Sequence, residues 1–103
     1  MDWPAPWRPI DDSATASAFE AELQRELSPG HVLFGLVLRA VGRRGDCDDV
    51  LFSAEDASGP VAVVHLTWRR GAEPPPWPDS TLYDSRAHWV ADARAEWERS
   101  GRA

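Results

Sequence analysis

The hydrophobic period of this chain changes twice along its length, and that change limits the possible folds more than any other feature. Over residues 13–27 the apolar positions Ala16, Phe19, Leu23 and Leu27 recur at helical spacing, with Glu20, Glu22, Gln24, Arg25 and Glu26 assigned to water. Ser17-Ala18-Phe19-Glu20 also fits a capping box, which allows a later start. Ser28-Pro29-Gly30 ends the helix, because proline disfavours helix before it and glycine permits a reversal. Residues 32–69 then alternate, and the helical period returns over 85–99, where Trp89, Val90, Ala93 and Trp97 form an inward stripe. Turn chemistry at 42–48 and 56–60 divides the alternating region into strands at 32–41, 49–54 and 61–69. Short turns between consecutive strands favour an antiparallel meander. The expected fold is α+β: an N-terminal helix, three antiparallel strands and a C-terminal helix, arranged as an α-β-β-β-α two-layer sandwich with both helices on one face of the sheet.

At 103 residues the chain supports one small domain. Residues 1–11 read as an extended arm, because Pro4, Pro6 and Pro9 exclude a helix interior. Strands 32–41 and 61–69 are apolar on both sides, so the face away from the helices needs cover. The material that remains for it is the two Trp-Pro segments, 3–4 and 77–78, or a second copy of the chain. The six tryptophans enlarge a limited core. Trp68 alternates in step with Val64 and Leu66, and Trp97 shares a stripe with Val90 and Ala93, so both are expected in the core on one side of the sheet. Strand 32–41 presents Leu33, Val37 and Val41 opposite Phe34, Leu36 and Leu38, and its open edge carries one charge, Arg39. A symmetric dimer through that face or edge is one expectation. The competing one is an arm, from Trp3 to Pro9, folded back over the same surface in a monomer.

The formal net charge of -6 and pI near 4.9 argue against nucleic acid and anionic membrane as partners. All 11 basic residues are arginine. No apolar run approaches the ~20 residues of a membrane span, and the first residues lack the basic and apolar regions of a secretory signal. Cys47, the single cysteine, fits a reducing cytoplasm. Two aspartates beside it, Asp46 and Asp48, disfavour its thiolate. Residues 42–45, Gly-Arg-Arg-Gly, lack the lysine and following helix of a phosphate loop. Asp84, His88 and Asp92 share a helical face but offer a single imidazole, and Asp46, Asp48 and Asp49 lack the ligand series of a calcium loop. No cofactor, metal site or catalytic set is expected.

Val64-His65-Leu66-Thr67-Trp68, followed by Glu73 and then Trp77-Pro78, resembles the pattern of a family of short bacterial proteins of unassigned function. The likeness extends to Asp49-Val50-Leu51-Phe52 and to an aromatic-bearing last helix, about residues 23–97. It implies no activity, so no catalytic residue is carried over. The turn after the tryptophan departs from the family, with Arg69-Arg70-Gly71 where Ser, Gly and Lys are usual.

The candidate binding residues are His65, Trp68, Glu73 and Trp77. A histidine inside an apolar strand with a carboxylate just beyond it suits a general base or a polar ligand. The simpler reading is a ring that packs by its apolar body and donates to a backbone carbonyl or a carboxylate, since no nucleophile signature accompanies it. Glu73 precedes three prolines, and its simplest role is to bind loop N–H groups or to pair with Arg69 or Arg70. Exposed tryptophans are natural anchors for a protein partner. The leading reading is a non-catalytic interaction or accessory module, with a protein partner or itself as a homodimer. The alternative is a small ligand-binding or catalytic domain with a pocket around His65, Trp68, Glu73 and Trp77.

Overall fold

A computed structural model describes residues 3–45, 47–54, 59–68, 71–72 and 77–99. The elements run β1 (Trp7–Pro9), α1 (Ser13–Glu26), β2 (Arg39–Arg44), β3 (Asp49–Ser53), β4 (Val61–His65), β5 (Ser80–Tyr83) and α2 (Arg86–Arg99). The class is α+β, and the sheet is an antiparallel meander in sequence order, of five strands where three were expected. The two additional strands are short edges. The proline-rich arm supplies β1, which pairs Trp7 with Arg44 and Pro9 with Gly42. An edge is the one place in a sheet that accommodates such prolines. On the far side β5 pairs Val64 with Ser80 and Ala62 with Leu82.

The helices lie on opposite faces of the sheet, which corrects the two-layer arrangement to three layers. Alternation along β3 and β4 supplies the reason. Val50, Phe52, Ala62 and Val64 point to one face and form a core with Phe19, Leu23 and Leu27 of α1. Leu51 and Val61 point to the other, with Trp7 and with Trp89 and Ala93 of α2; Trp3, Val41 and Val63 pack against them. A sheet apolar on both sides is satisfied by one helix per side. Trp89 is central to the second core, meeting the edges of Trp3 and Trp7 at centroid distances of 5.6 and 5.1 Å.

The expected strand at 32–41 is mostly loop. His31, Phe34 and Leu36 donate backbone N–H to Ser28, His31 and Leu33 carbonyls at 3.1, 3.0 and 3.2 Å, so the segment makes successive turns. Gly30 (φ 100°) and Gly35 (φ 86°) hold left-handed conformations that break an extended run. Leu33 and Leu38 still enter the α1 core. The strand proper starts at Arg39, and because β1 pairs with it, β2 has no open edge. At the other end, β4 stops at His65 short of the expected 69, and Trp68 sits at φ 58°, a region a bulky residue rarely occupies.

Two expectations about burial are also corrected. Trp68 stays on the α1 face but is more exposed than buried neighbours such as Leu66, while Trp97 belongs to α2 on the opposite face and is partly buried. Glu22 and Glu26, assigned to water, are both 0% exposed. At ~100° per residue Glu26 lies ~20° from Phe19 around the helix, on the inner face.

Candidate functional site

Two features stand out on the α1 side: a buried pair of carboxyls and an apolar loop. Glu26, on the last turn of α1, accepts backbone N–H bonds from Thr67 (2.9 and 3.1 Å to its two oxygens) and from Trp68 (2.9 Å). These donors leave the sheet where β4 ends, so Glu26 does for them what a strand partner would have done. Glu22, one turn earlier, bonds Glu26 through its side chain and is paired with Arg25 at 2.8 Å. Burial, and then the bond to Glu22, raise the proton affinity of Glu26, against the opposite pull of the Thr67 and Trp68 N–H groups. Above this pair the Trp68 ring tilts against Phe19 at 5.6 Å, and Arg43 of β2 lies over the Phe19 ring at 5.4 Å. Both carboxyls are buried, and Glu26 orders the Trp68 turn through its backbone N–H bonds.

The loop over residues 28–38 is pinned at both ends. Buried His31 accepts the Leu33 N–H on Nδ1 at 3.0 Å, which places its proton on Nε2, and Nε2 donates to the Pro78 carbonyl at 2.8 Å. Glu20 accepts the Ala40 N–H at 2.9 Å where β2 begins. Between these anchors Val32, Phe34, Leu36 and Val37 are 62, 50, 44 and 77% exposed. A groove of about 510 Å³ runs beside them, with Ala21 and Gln24 of α1 on one wall and Leu36, Val37 and Arg39 on the other. Single exposed apolar residues are ordinary, but four within six positions on an anchored loop form a patch.

The proposed cluster of His65, Trp68, Glu73 and Trp77 is distributed as follows. His65 is exposed and bonds Asp49 across the β3–β4 pair, Nδ1 to Oδ1 at 2.8 Å. Both side chains share the α2 face with Leu51 and Val63, whereas Trp68 turns to the α1 face. Trp77 is exposed, and Pro78 beside it is buried and anchors His31. Glu73 lies outside the described residues, as do Arg69, Arg70 and the prolines at 74–76. Among the described residues the carboxylate that meets His65 is Asp49, and its position directly opposite in the strand register was a signal available from the alternation.

Family models, curated proteins and solved structures give no match to this chain. The geometry alone therefore carries the functional argument. Among the described residues no three His, Cys, Asp or Glu side chains converge as a metal site. Of the Asp84, His88 and Asp92 set, Asp92 accepts the Tyr83 hydroxyl proton at 2.6 Å and His88 packs edge-on to the Tyr83 ring at 5.2 Å. Burial and Asp92 together push the Tyr83 hydroxyl pKa upward, so it remains a donor. Cys47 is exposed. No helix among the described residues is long and apolar enough to cross a membrane.

The residues missed by sequence reasoning are Glu22, Glu26 and His31. The helical period points Glu22 and Glu26 inward, but their charge argues for water, and the acceptor need of Thr67 and Trp68 arises only in the folded chain. No local pattern around His31 announces its bond to Pro78.

Proposed function

We propose that this chain is a non-catalytic protein-interaction module whose contact surface is the anchored loop over residues 32–37, with Trp77 as a neighbouring anchor. The observation that carries the reading is the exposure of Val32, Phe34, Leu36 and Val37 on a segment held at both ends by side-chain hydrogen bonds. A pre-ordered apolar patch binds without the entropy cost of ordering a free loop. The partner is a second copy of the chain or another protein; the acidic balance disfavours nucleic acid and anionic membrane. The likeness of Val64 to Trp68 and of Trp77-Pro78 to short bacterial proteins belongs to the same proposal, and it adds no activity.

The test combines sedimentation equilibrium of the purified chain at micromolar concentration with affinity purification from the native host. Both are run on the wild type and on a Phe34→Ser/Val37→Ser variant. The reading expects self-association or a copurifying protein in the wild type, lost in the variant. A monomeric wild type whose copurification profile equals that of the variant overturns it.

The second reading, a ligand or catalytic pocket around His65, Trp68, Glu73 and Trp77, is favoured by one observation, the exposed His65–Asp49 hydrogen bond. A carboxylate on Nδ1 orients a histidine for proton transfer through Nε2. It predicts that His65→Ala abolishes ligand binding and leaves association through the loop intact.

A further inference from the structure

We propose that the contact surface read in the 32–37 loop, on which this inference rests, takes a second copy of the chain. The two copies lie across a two-fold axis, with Arg39 of each against Glu20 of the other. The groove beside the loop is preformed. Gln24 Nε2 on its α1 wall reaches the Leu36 carbonyl in a long bond of 3.5 Å, and Glu20 accepts the Ala40 N–H at 2.9 Å where β2 begins. The loop wall is apolar through Leu36, Val37 and Leu38. The charged residues of the lining are Glu20 on the α1 side and Arg39 on the other.

Charge selects this occupant. The chain carries a formal net charge of -6, so two copies repel wherever their acidic surfaces face each other. The groove lining holds one carboxylate and one guanidinium, so two copies meet there without net repulsion. An isologous contact sets a surface against itself and requires that the surface complement itself. This one does so in charge, because the two-fold that brings Arg39 of one copy to Glu20 of the other makes the same contact twice. Glu20 uses Oε2 for the Ala40 N–H, and a carboxylate accepts at both oxygens. Arg39 is exposed. The surface complements itself in shape as well. Val32 and Phe34 stand exposed outside the groove, on the same loop whose Leu36 and Val37 line it, so each copy offers both a projecting apolar group and a cleft. A foreign segment needs charges matched to this groove, whereas a second copy has them by symmetry.

Gly35 allows the contact to be blocked without disturbing the single chain. It lines the groove at φ 86°, and a Cβ built on it meets no atom within 4 Å. Asparagine tolerates that left-handed conformation better than most side chains, so Gly35→Asn adds bulk to the contact and leaves the monomer packed as before. The experiment is sedimentation equilibrium of the intact chain from about 1 to about 300 μM, where the wild type is expected to dimerise. Gly35→Asn is expected to weaken the dimer at least about tenfold. Arg39→Glu sets carboxylates against each other twice and is expected to weaken it by at least about tenfold as well. Glu20→Lys is expected to be monomeric alone and to form a one-to-one dimer when mixed with Arg39→Glu, because each contact is then again between opposite charges. A wild type that stays monomeric throughout overturns the second copy. If Phe34→Ser/Val37→Ser then still loses a copurifying protein, the loop remains a contact surface for a foreign partner. A dimer unchanged in Phe34→Ser/Val37→Ser overturns the loop reading and this inference together. A dimer lost in that variant but unaffected by Gly35→Asn and Arg39→Glu overturns the two-fold arrangement alone. If circular dichroism shows Glu20→Lys, which gives up the acceptor for Ala40, to be unfolded, the Gly35→Asn and Arg39→Glu results decide.

Discussion

Among the described residues Trp89 is the largest fully buried side chain. It is 1% exposed, and it joins Trp3 and Trp7 to Leu51, Val61 and Ala93. Truncating a buried tryptophan to alanine costs about 3–5 kcal/mol in transfer and cavity energy. Two edge-to-face partners, each worth about 0.5–1.5 kcal/mol beyond area, place Trp89→Ala at the upper end of that range. A domain of this size has a total stability of about 5–15 kcal/mol, so the variant approaches its folding limit. Trp97 lies on the same helix beside a shallow groove shared with Trp3 and Arg94, and its truncation is expected to cost about 1 kcal/mol. The assay is urea unfolding followed by far-ultraviolet circular dichroism, with equal m-values required before the energies are compared. A loss below about 1.5 kcal/mol for Trp89→Ala, or equal losses for the two variants, would refute the assignment of the second core.

Two further outcomes follow from contacts elsewhere. A Cβ on Gly42 would overlap the Trp3 ring, coming within 2.6 Å of Cη2, so Gly42→Ala is expected to cost about 1–3 kcal/mol and to cost less when Trp3→Ala is already present; a double-mutant cycle in urea reads both. Asp12 caps α1 through bonds to Thr15 N–H and hydroxyl at 2.8 and 2.7 Å, and these bonds lower its pKa below 3.8. A depressed carboxyl pKa stabilises the fold above the unfolded value and loses that contribution as pH falls through the folded one, so the thermal midpoint of Asp12→Asn is expected to fall less than that of the wild type between about pH 5 and about pH 2.

The helices were legible almost to the residue: 13–27 against Ser13–Glu26, and 85–99 against Arg86–Arg99. Each is long and strongly periodic, and Ser28-Pro29-Gly30 closes the first. The middle strand, 49–54 against Asp49–Ser53, was equally clear because turn residues bracket it. Alternation misled where backbone freedom opposed it: Gly30 and Gly35 turn the apolar run at 32–38 into a loop. The arm hid β1, since prolines that forbid a central strand are tolerated at an edge. The four residues of β5 carry too short a pattern to declare themselves. At the candidate site strand register sets Asp49 opposite His65, while Glu73, the carboxylate that sequence proximity suggests, lies outside the described residues. The buried carboxyls were hidden by a sound rule, that unpaired glutamates face water. The rule gives way because two N–H donors and a neighbouring carboxyl meet Glu26 only after folding.

The demand for cover on both sheet faces also decides how the exposed loop is to be understood. The arm and α2 fill one face, through Trp3, Trp7 and Trp89, and α1 with Leu33 and Leu38 fills the other. Val41, once grouped with Leu33 and Val37 as an unclaimed surface, packs beneath the arm, so the folded-back arm accounts for part of that surface and leaves Val37 uncovered. Val37 therefore contributes little to the fold of the single chain. Val37→Ser is expected to change monomer stability by no more than about 0.5 kcal/mol, as at other surface positions. Leu38→Ser, one residue on and only 6% exposed, removes a buried apolar side chain and places a hydroxyl in the core, and is expected to cost at least about 2 kcal/mol. Urea unfolding at submicromolar concentration, where association is suppressed, measures both. Comparable losses at the two positions would mean that the loop closes over Val37 in the folded monomer, and the apolar patch would then be core rather than a contact surface.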